Sequence, residues 1–383
     1  MKFSCSFCRS ALEVEDRYSG DEIECPVCGK KILCKESDAP KARVIREGGC
    51  QVGGKNGFAS TAAGILGIKP LSHFKWGDLF SEVFRKHDSN AVEEHLMLGT
   101  EANTPDIFDI EAIWPKPWMF VRCLLMLIGL FVLNMLLGDG LRSTVPCFVI
   151  IGAAAVPLAC ALFFFELNIR KNVSIVYFMK LILVGGIMSP LILSFIGILE
   201  PMVIKTFNIP EEWCATLAGP MEETAKLCAV VLFARKLRHH YILNGLMFGA
   251  AVGVGFGIFE TAGYVLGSGQ GMLSTTIVRG ISAPVGHVAY SSIWAGALWR
   301  VKGRNSFSFS MLKDKGFLKL FLFGISLHAF WNSPLLFEST GGVFGKILIV
   351  GISAYWVIFS LAQEGIEQIR KEQETILSDL KLG

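Results

Sequence analysis

From Pro117 onwards the chain consists of long apolar runs separated by short polar breaks, whereas the residues before it are mixed and largely polar. Eight of these runs are long enough to cross about 30 Å of hydrocarbon as helices. The predicted spans are residues 118–137, 145–166, 173–200, 212–234, 241–266, 275–299, 317–337 and 343–363. The pattern therefore predicts an all-α polytopic membrane protein with about eight transmembrane helices and a membrane domain at 118–363.

Composition agrees with this fold class. Of the 383 residues 52% are hydrophobic and only 18% are charged, which is unusual for a soluble chain. The formal net charge of +3 is small, so no nucleic-acid partner is expected, and the lipid bilayer is the expected environment.

The polar N-terminus contains two C-x-x-C pairs. Cys5 and Cys8 form one pair, and Cys25 and Cys28 form the other. Such pairs aim four thiolates at one point, which predicts a closed, structural zinc site in a ribbon over residues 1–36. Two disulfides or four free thiols are the alternatives, but so short a segment needs a metal to build a core. Reduced thiolates also predict a cytosolic N-terminus.

The other polar segments divide the remainder of the chain. Residues 37–75 lack periodicity and predict a flexible linker, 76–117 predict a cytosolic segment with two short amphipathic helices, and 364–383 predict a polar C-terminal tail. Lys and Arg concentrate in alternate loops, and the outer loops contain only Arg142, Lys205 and Lys346. This bias predicts a multi-pass protein of the inner membrane with both termini cytosolic.

Ionisable residues deep inside the predicted spans, away from the span ends, are few. They are Glu222, Glu223 and Lys226 in the fourth span, Glu260 in the fifth, His287 in the sixth and His328 in the seventh. A charge at the centre of a span costs roughly 2.5 to 3.5 kcal/mol, so such residues indicate a functional site. At a rise of about 1.5 Å per residue they fall at compatible depths. Lys180 and Arg279 lie nearer span ends and are interpreted as interfacial anchors.

Local spacing suggests how these residues are held. Gly219 and Pro220 predict a helix start that places the two glutamates in its first turn. Lys226 lies within reach of both glutamates, at i+4 and i+3. Gly249, Gly253 and Gly257 predict a small-residue ridge for close helix packing, with Glu260 one turn further on. His328 and Asn332 share a helix face at i+4.

These residue types suit hydrolysis. A carboxylate can deprotonate a water molecule, a second acid or an imidazole can hold that water or a metal, and His or Asn can stabilise an oxyanion. The same acids and histidines also suit an ion- or proton-coupled transporter. A purely structural network of Glu–Lys and His–Asn pairs is a further alternative, although a buried ion pair stabilises a fold poorly.

Four motifs occur in successive spans: E-E-x-x-K at Glu222–Lys226, F-x-x-x-E at Phe256–Glu260, His287, and H-x-x-x-N at His328–Asn332. In these motifs the sequence resembles the PrsW family of membrane-embedded proteases, within the wider group of CAAX prenyl endopeptidases and bacteriocin-processing relatives. The resemblance covers roughly residues 175–340. CAAX prenyl enzymes usually have His where this chain has Glu260, so prenylated substrates are not implied.

The resemblance implies cleavage of a peptide bond in membrane protein or peptide substrates. The implied catalytic set is Glu222, Glu223, Glu260, His287, His328 and Asn332, with Lys226 as charge partner. We take either Glu222 or Glu223 as the base, with Glu222 preferred, and His328 with Asn332 on the oxyanion side. Catalysis uses either glutamate-activated water alone or a divalent metal, whose possible ligands are Glu223, Glu260, His287 and His328. The ribbon lies outside the family core and is a candidate for binding a protein partner.

Overall fold

The computed structural model describes the backbone of four short strands near the N-terminus, followed by residues 58–71, 74–137, 145–234, 238–336 and 340–382. The chain divides into two compact units, Met1–Lys55 and Asn56–Gly383.

The first unit contains two antiparallel hairpins. Strands β1 (Lys2–Ser4) and β2 (Ala11–Glu13) pair with Lys2 opposite Glu13, and β3 (Glu22–Glu24) and β4 (Lys31–Leu33) pair with Glu22 opposite Leu33. In the sequence, each C-x-x-C pair falls between two paired strands. The four cysteines themselves lie outside the described residues, so the zinc site remains a prediction.

The second unit begins with α1 (Phe58–Leu66), which lies inside the segment predicted to be a flexible linker. These residues thus form a helix where the sequence predicts no regular structure, and Ala63 of this helix is buried in the core. Of the two amphipathic helices predicted over 76–98, only the second forms, as α2 (Ser89–Met97). The first is a single 3₁₀ turn at Trp76–Leu79.

Ten further helices follow. They are α3 (Met119–Leu137), α4 (Val145–Leu167), α5 (Ile175–Gly197), α6 (Glu200–Phe207), α7 (Ala218–Phe233), α8 (Ile242–Gly267), α9 (Met272–Ser282), α10 (His287–Lys302), α11 (Lys315–Asn332) and α12 (Thr340–Leu382). Within the described residues five of them, α3, α4, α5, α8 and α12, are long and apolar enough to cross a membrane. The chain is therefore an integral membrane protein, and the count of eight spans remains a prediction.

Two of the other three predicted spans differ from simple crossings. Helix α7 has 16 residues and a length of about 24 Å, which is less than the hydrocarbon thickness of about 30 Å. The sixth predicted span, 275–299, is not one helix but two, α9 and α10, separated by a 3₁₀ turn at Ala283–Val285. Pro284 lacks a backbone N–H and cannot continue the α-helical ladder, which explains the break. His287 consequently lies at the first position of α10 rather than in mid-helix.

Helix α8 is the centre of the membrane domain and is almost completely buried between α10 and α5. An added Cβ at Gly249 would lie 2.1 Å from the carbonyl oxygen of Ser291, and one at Gly253 would lie 2.4 Å from that of His287. The predicted small-residue ridge is thus confirmed, and its partner is α10. The absence of side chains lets the two backbones approach closely enough to position His287 beside α8.

The C-terminal tail continues α12 without a break, so α12 has 43 residues. Its polar half packs on the segment before α3. Lys69 Nζ lies 2.6 Å from Glu367 Oε2, and the amide of Gln373 donates to the carbonyl oxygens of Ile107 and Ile110 at 2.6 and 2.8 Å. Lys346, counted above as an outer-loop charge, is buried in α12 and donates to the carbonyl oxygens of Trp331 and Ser333 at the end of α11.

Candidate active site

The glutamate pair is carried by α7, which begins at Ala218 after a 3₁₀ stretch at Glu211–Leu217. Gly219 and Pro220 lie in the first turn, so the helix begins one residue before the predicted start. The two glutamates are the fifth and sixth helical residues, one turn later than predicted. An added Cβ at Gly219 would lie 3.0 Å from the backbone nitrogen of Ala329, so this glycine lets α7 approach α11 beside His328.

Glu223 is fully buried and its carboxylate is saturated with donors. Lys226 Nζ donates to Oε1 at 2.6 Å, and His328 Nδ1 lies 2.9 Å from the same oxygen. Oε2 accepts from Ser291 Oγ at 3.2 Å and from Trp294 Nε1 at 2.9 Å. A carboxylate held by four donors from three helices is suited to positioning its neighbours, and has little capacity left to bind water or metal.

Glu222 differs from Glu223 in its exposure and in its hydrogen bonding. It is 8% exposed, and its Oε2 has no hydrogen-bond partner within the described part of the chain. Three groups surround that oxygen: His287 Nδ1 at 3.6 Å, His328 Nε2 at 3.7 Å and Lys226 Nζ at 3.7 Å. A buried carboxylate oxygen with unused acceptor capacity is a strong candidate for a reacting group.

The two imidazoles are each fixed by a carboxylate. Because a carboxylate only accepts, His328 must carry its proton on Nδ1 to bond Glu223, which leaves Nε2 as an acceptor facing Glu222. His287 likewise uses Nε2–H towards Glu260 Oε2 at 2.6 Å, and its Nδ1 accepts from Lys226 Nζ at 2.9 Å. Both rings therefore present a nitrogen lone pair on the side of Glu222.

Glu260 is held in turn by Arg279 on α9. The Arg279 Nη2 group contacts Glu260 Oε2, and Nε donates to Thr261 Oγ1 at 3.0 Å. The interpretation of Arg279 as an interfacial anchor is therefore wrong, because the break between α9 and α10 turns this side chain back towards the site. Arg279, Glu260 and His287 form a chain that fixes the imidazole.

Three site residues on α10 were missed in the sequence analysis. Tyr290, Ser291 and Trp294 follow His287 at i+3, i+4 and i+7, the spacing of one helix face. Ser291 and Trp294 donate to Glu223, and the ring of Tyr290 stacks on His328 with centroids 5.0 Å apart. The signal in the sequence was the polar and aromatic stripe in HVAYSSIW, which becomes visible only once His287 is known to begin a helix.

A cavity of about 390 Å³ joins most of these side chains. Its lining includes Glu222, Glu260, His287, Tyr290, His328 and Asn332. Of the six predicted catalytic residues, five line this space, and Glu223 lies behind it as the buried anchor of Lys226 and His328. The residues predicted on four helices thus converge on one cavity.

The donor set also fits a divalent metal. Glu222, His287 and His328 offer ligand atoms that all lie within 4.8 Å of one another. Each imidazole is backed by a carboxylate, the arrangement that orients metal-ligating histidines. The group contains Glu222 in place of the predicted Glu223 and Glu260, whose oxygens are engaged elsewhere. Lys226 Nζ takes the lone pair of His287 Nδ1, so metal binding at this nitrogen requires the ammonium group to move.

Comparison with known proteins gives one match. Residues 174–362 match the family model described as PrsW family intramembrane metalloprotease. This range contains all the cavity residues named above. No curated protein and no solved structure matches the chain. The match covers just under half of the chain and supports a membrane protease domain of the PrsW family at residues 174–362, and the five membrane-spanning candidates among the described helices indicate an integral membrane protein.

Proposed function

We propose that the protein is an endopeptidase that hydrolyses a peptide bond of membrane protein substrates inside or beside the bilayer, with Glu222 as the general base. The observation that supports this most strongly is the unpartnered Oε2 of Glu222, buried within 4 Å of two imidazole nitrogens at the edge of a cavity. The family match supports the reaction class.

The two glutamates have different roles in this proposal. Glu222 accepts a proton from the attacking water and later returns it to the leaving amine nitrogen. Glu223 keeps its charge, because four donors stabilise the carboxylate, and holds Lys226 and His328 in place. Lys226 Nζ lies within 4 Å of both carboxylates, at 2.6 Å from Glu223 and 3.7 Å from Glu222.

The imidazoles orient the water. The lone pair of His328 Nε2 and the carboxylate of Glu222 are both acceptors, and acceptors this close to each other fit a donor such as water between them. The lone pair of His287 Nδ1 accepts from Lys226 Nζ, so it joins them only when this ammonium group moves. Arg279 and Glu260 support this role by fixing the ring of His287. Asn332, on the wall of the same cavity, is positioned to contact the substrate backbone.

A metal fits the same place. When bound by Glu222, His287 and His328, a divalent cation would supply Lewis-acid polarisation of the scissile carbonyl group.

Both termini are proposed to be cytosolic, and the zinc ribbon is proposed to bind a protein partner or present substrate.

The proposal can be tested without knowing the substrate. New protein N-termini are compared by mass spectrometry in membranes from cells that produce the wild-type chain, Glu222→Gln or Glu211→Gln; Glu211 is an exposed glutamate on the 3₁₀ stretch before α7. We expect a set of new termini in the wild type and in Glu211→Gln that disappears in Glu222→Gln. If Glu222→Gln changes no termini but abolishes ion-coupled uptake, the site belongs to a transporter instead.

A further inference from the structure

Tyr290 is the one aromatic residue of the cavity whose polar atom is both buried and unpartnered in the described structure. Its side chain is 1% exposed, and its hydroxyl has no hydrogen-bond partner among the described residues. A buried hydroxyl without a partner is costly, and native structures usually keep such a group for a ligand or a reaction. Since Tyr290 lines the cavity, a bound substrate can supply the partner.

The ring of Tyr290 is fixed beside the reacting groups. It stacks on His328 with an interplanar angle of 24°, and it meets His287 edge-on with centroids 6.4 Å apart. Both histidines are held by carboxylates, so the phenol is held between two immobile rings. A preorganised donor of this kind needs no rearrangement when charge develops in a transition state.

The other donors of the site are already committed. His328 uses its Nδ1–H for Glu223, His287 uses its Nε2–H for Glu260, and Arg279 binds Glu260 and Thr261. The predicted role of His328 as an oxyanion donor therefore conflicts with its tautomer, because the nitrogen on the cavity side is an acceptor. Other lining residues with groups that can donate to a substrate oxygen include Tyr264, Tyr290, Trp331 and Asn332. Among them, the ring of Tyr290 lies against both His287 and His328.

We infer that Tyr290 is a catalytic residue whose hydroxyl donates a hydrogen bond to the scissile carbonyl oxygen as that oxygen becomes an oxyanion. This inference rests on the proposed function. The water oxygen attacks the carbonyl carbon, its proton passes to Glu222, and the carbonyl π electrons move to the oxygen bonded by Tyr290. When the tetrahedral adduct collapses, the C–N bond breaks and Glu222 returns the proton to the amine. Tyr290 keeps its own proton throughout.

The test uses Tyr290→Phe, which removes the hydroxyl but keeps the ring that stacks on His328. The control is Tyr241→Phe, which removes the hydroxyl of another buried tyrosine, bonded to Arg170 at 3.3 Å and about 28 Å along α8 from Glu260. The probe is a quenched-fluorescent peptide that spans a bond cut in the wild type, as located by the comparison of new N-termini. Its phosphinate analogue serves as the transition-state mimic.

We expect Tyr290→Phe to lower kcat about 100-fold with KM changed less than about threefold, because the lost bond forms only in the transition state. Binding of the phosphinate should weaken by a similar factor, and Tyr290→Phe should keep the wild-type Tm within about 2 °C, since a hydroxyl bound only by substrate adds nothing to the free fold. Tyr241→Phe loses its bond to Arg170 and should lower the Tm slightly while keeping the wild-type kcat. An unchanged kcat in Tyr290→Phe, or an equal loss in Tyr241→Phe, would overturn the inference while leaving Glu222-dependent cleavage intact. The absence of any Glu222-dependent cleavage would instead overturn the proposed function and this inference together.

Discussion

At the scale of single residues, the structure separates two adjacent glutamates that the sequence could not rank. Glu222 and Glu223 diverge by about 100° around α7, which places one carboxylate at the cavity and the other among four donors. The identity of these acids and the proximity of Lys226 could be predicted from spacing. Their roles could not, because three of the four donors to Glu223 come from α10 and α11, which are distant in sequence.

The buried pair of Lys226 and Glu223 gives a prediction about stability. Lys226→Met leaves the Glu223 carboxylate buried without its cation, which typically costs about 3 to 5 kcal/mol and should lower the Tm of the detergent-solubilised protein by roughly 10 °C. The double variant Glu223→Gln/Lys226→Met removes both charges and should recover part of this loss. If the double variant melts at the temperature expected from adding the two single effects, the two side chains are not energetically coupled.

At the scale of helices, close backbone packing and one helix break build the site. The glycine ridge of α8 follows from the sequence, because small residues at four-residue intervals are typical of close helix packing in membranes. Its partner, α10, is known only from the structure. The break at Pro284 was missed because the apolar character continues across it. Hydropathy reports lipid compatibility and is insensitive to the loss of a few backbone hydrogen bonds inside a protein. This omission hid the roles of Arg279 and Tyr290.

Helix packing is tested by two glycine substitutions on α8. In Gly253→Ala the new methyl group would lie 2.4 Å from the carbonyl oxygen of His287, so we expect α10 to shift, activity to fall and stability to drop by about 1 to 3 kcal/mol. Gly263→Ala is the matched control, since an added Cβ there meets no atom within 4 Å. Thermal unfolding and cleavage are measured on both variants. Equal behaviour of the two would show that the approach of α8 and α10 does not position His287.

At the scale of the whole molecule, hydropathy locates the membrane domain but does not fix the number of crossings. All eight predicted spans contain helix, and five of the described helices meet the length and polarity expected for a crossing. The rest are shortened or broken where α7, α9, α10 and α11 carry the site, because functional residues replace apolar ones there. The helix α1 and the docking of the α12 extension on residues 58–117 depend on long-range contacts that no local pattern reveals.

The N-terminal unit and the membrane site make separable predictions about metal content. The full-length protein should bind one zinc ion through Cys5, Cys8, Cys25 and Cys28, and Cys5→Ser/Cys8→Ser should lower the zinc content by one ion per chain because two thiolate ligands are lost. Glu222→Gln should leave that zinc in place. Elemental analysis of the purified variants measures this. A zinc content unaffected by the cysteine substitutions would contradict the ribbon prediction.

The central claim is that Glu222 activates water to cut a peptide bond. The most direct measurement is a single turnover of the purified protein in ¹⁸O-labelled water, with mass spectrometry of the new C-terminal carboxyl group. We predict one ¹⁸O atom in the wild-type product and a rate about 10²- to 10⁴-fold lower for Glu222→Gln. Full cleavage by Glu222→Gln would contradict the account. So would an unlabelled carboxyl group in the product, because its second oxygen would then have come from the enzyme rather than from water.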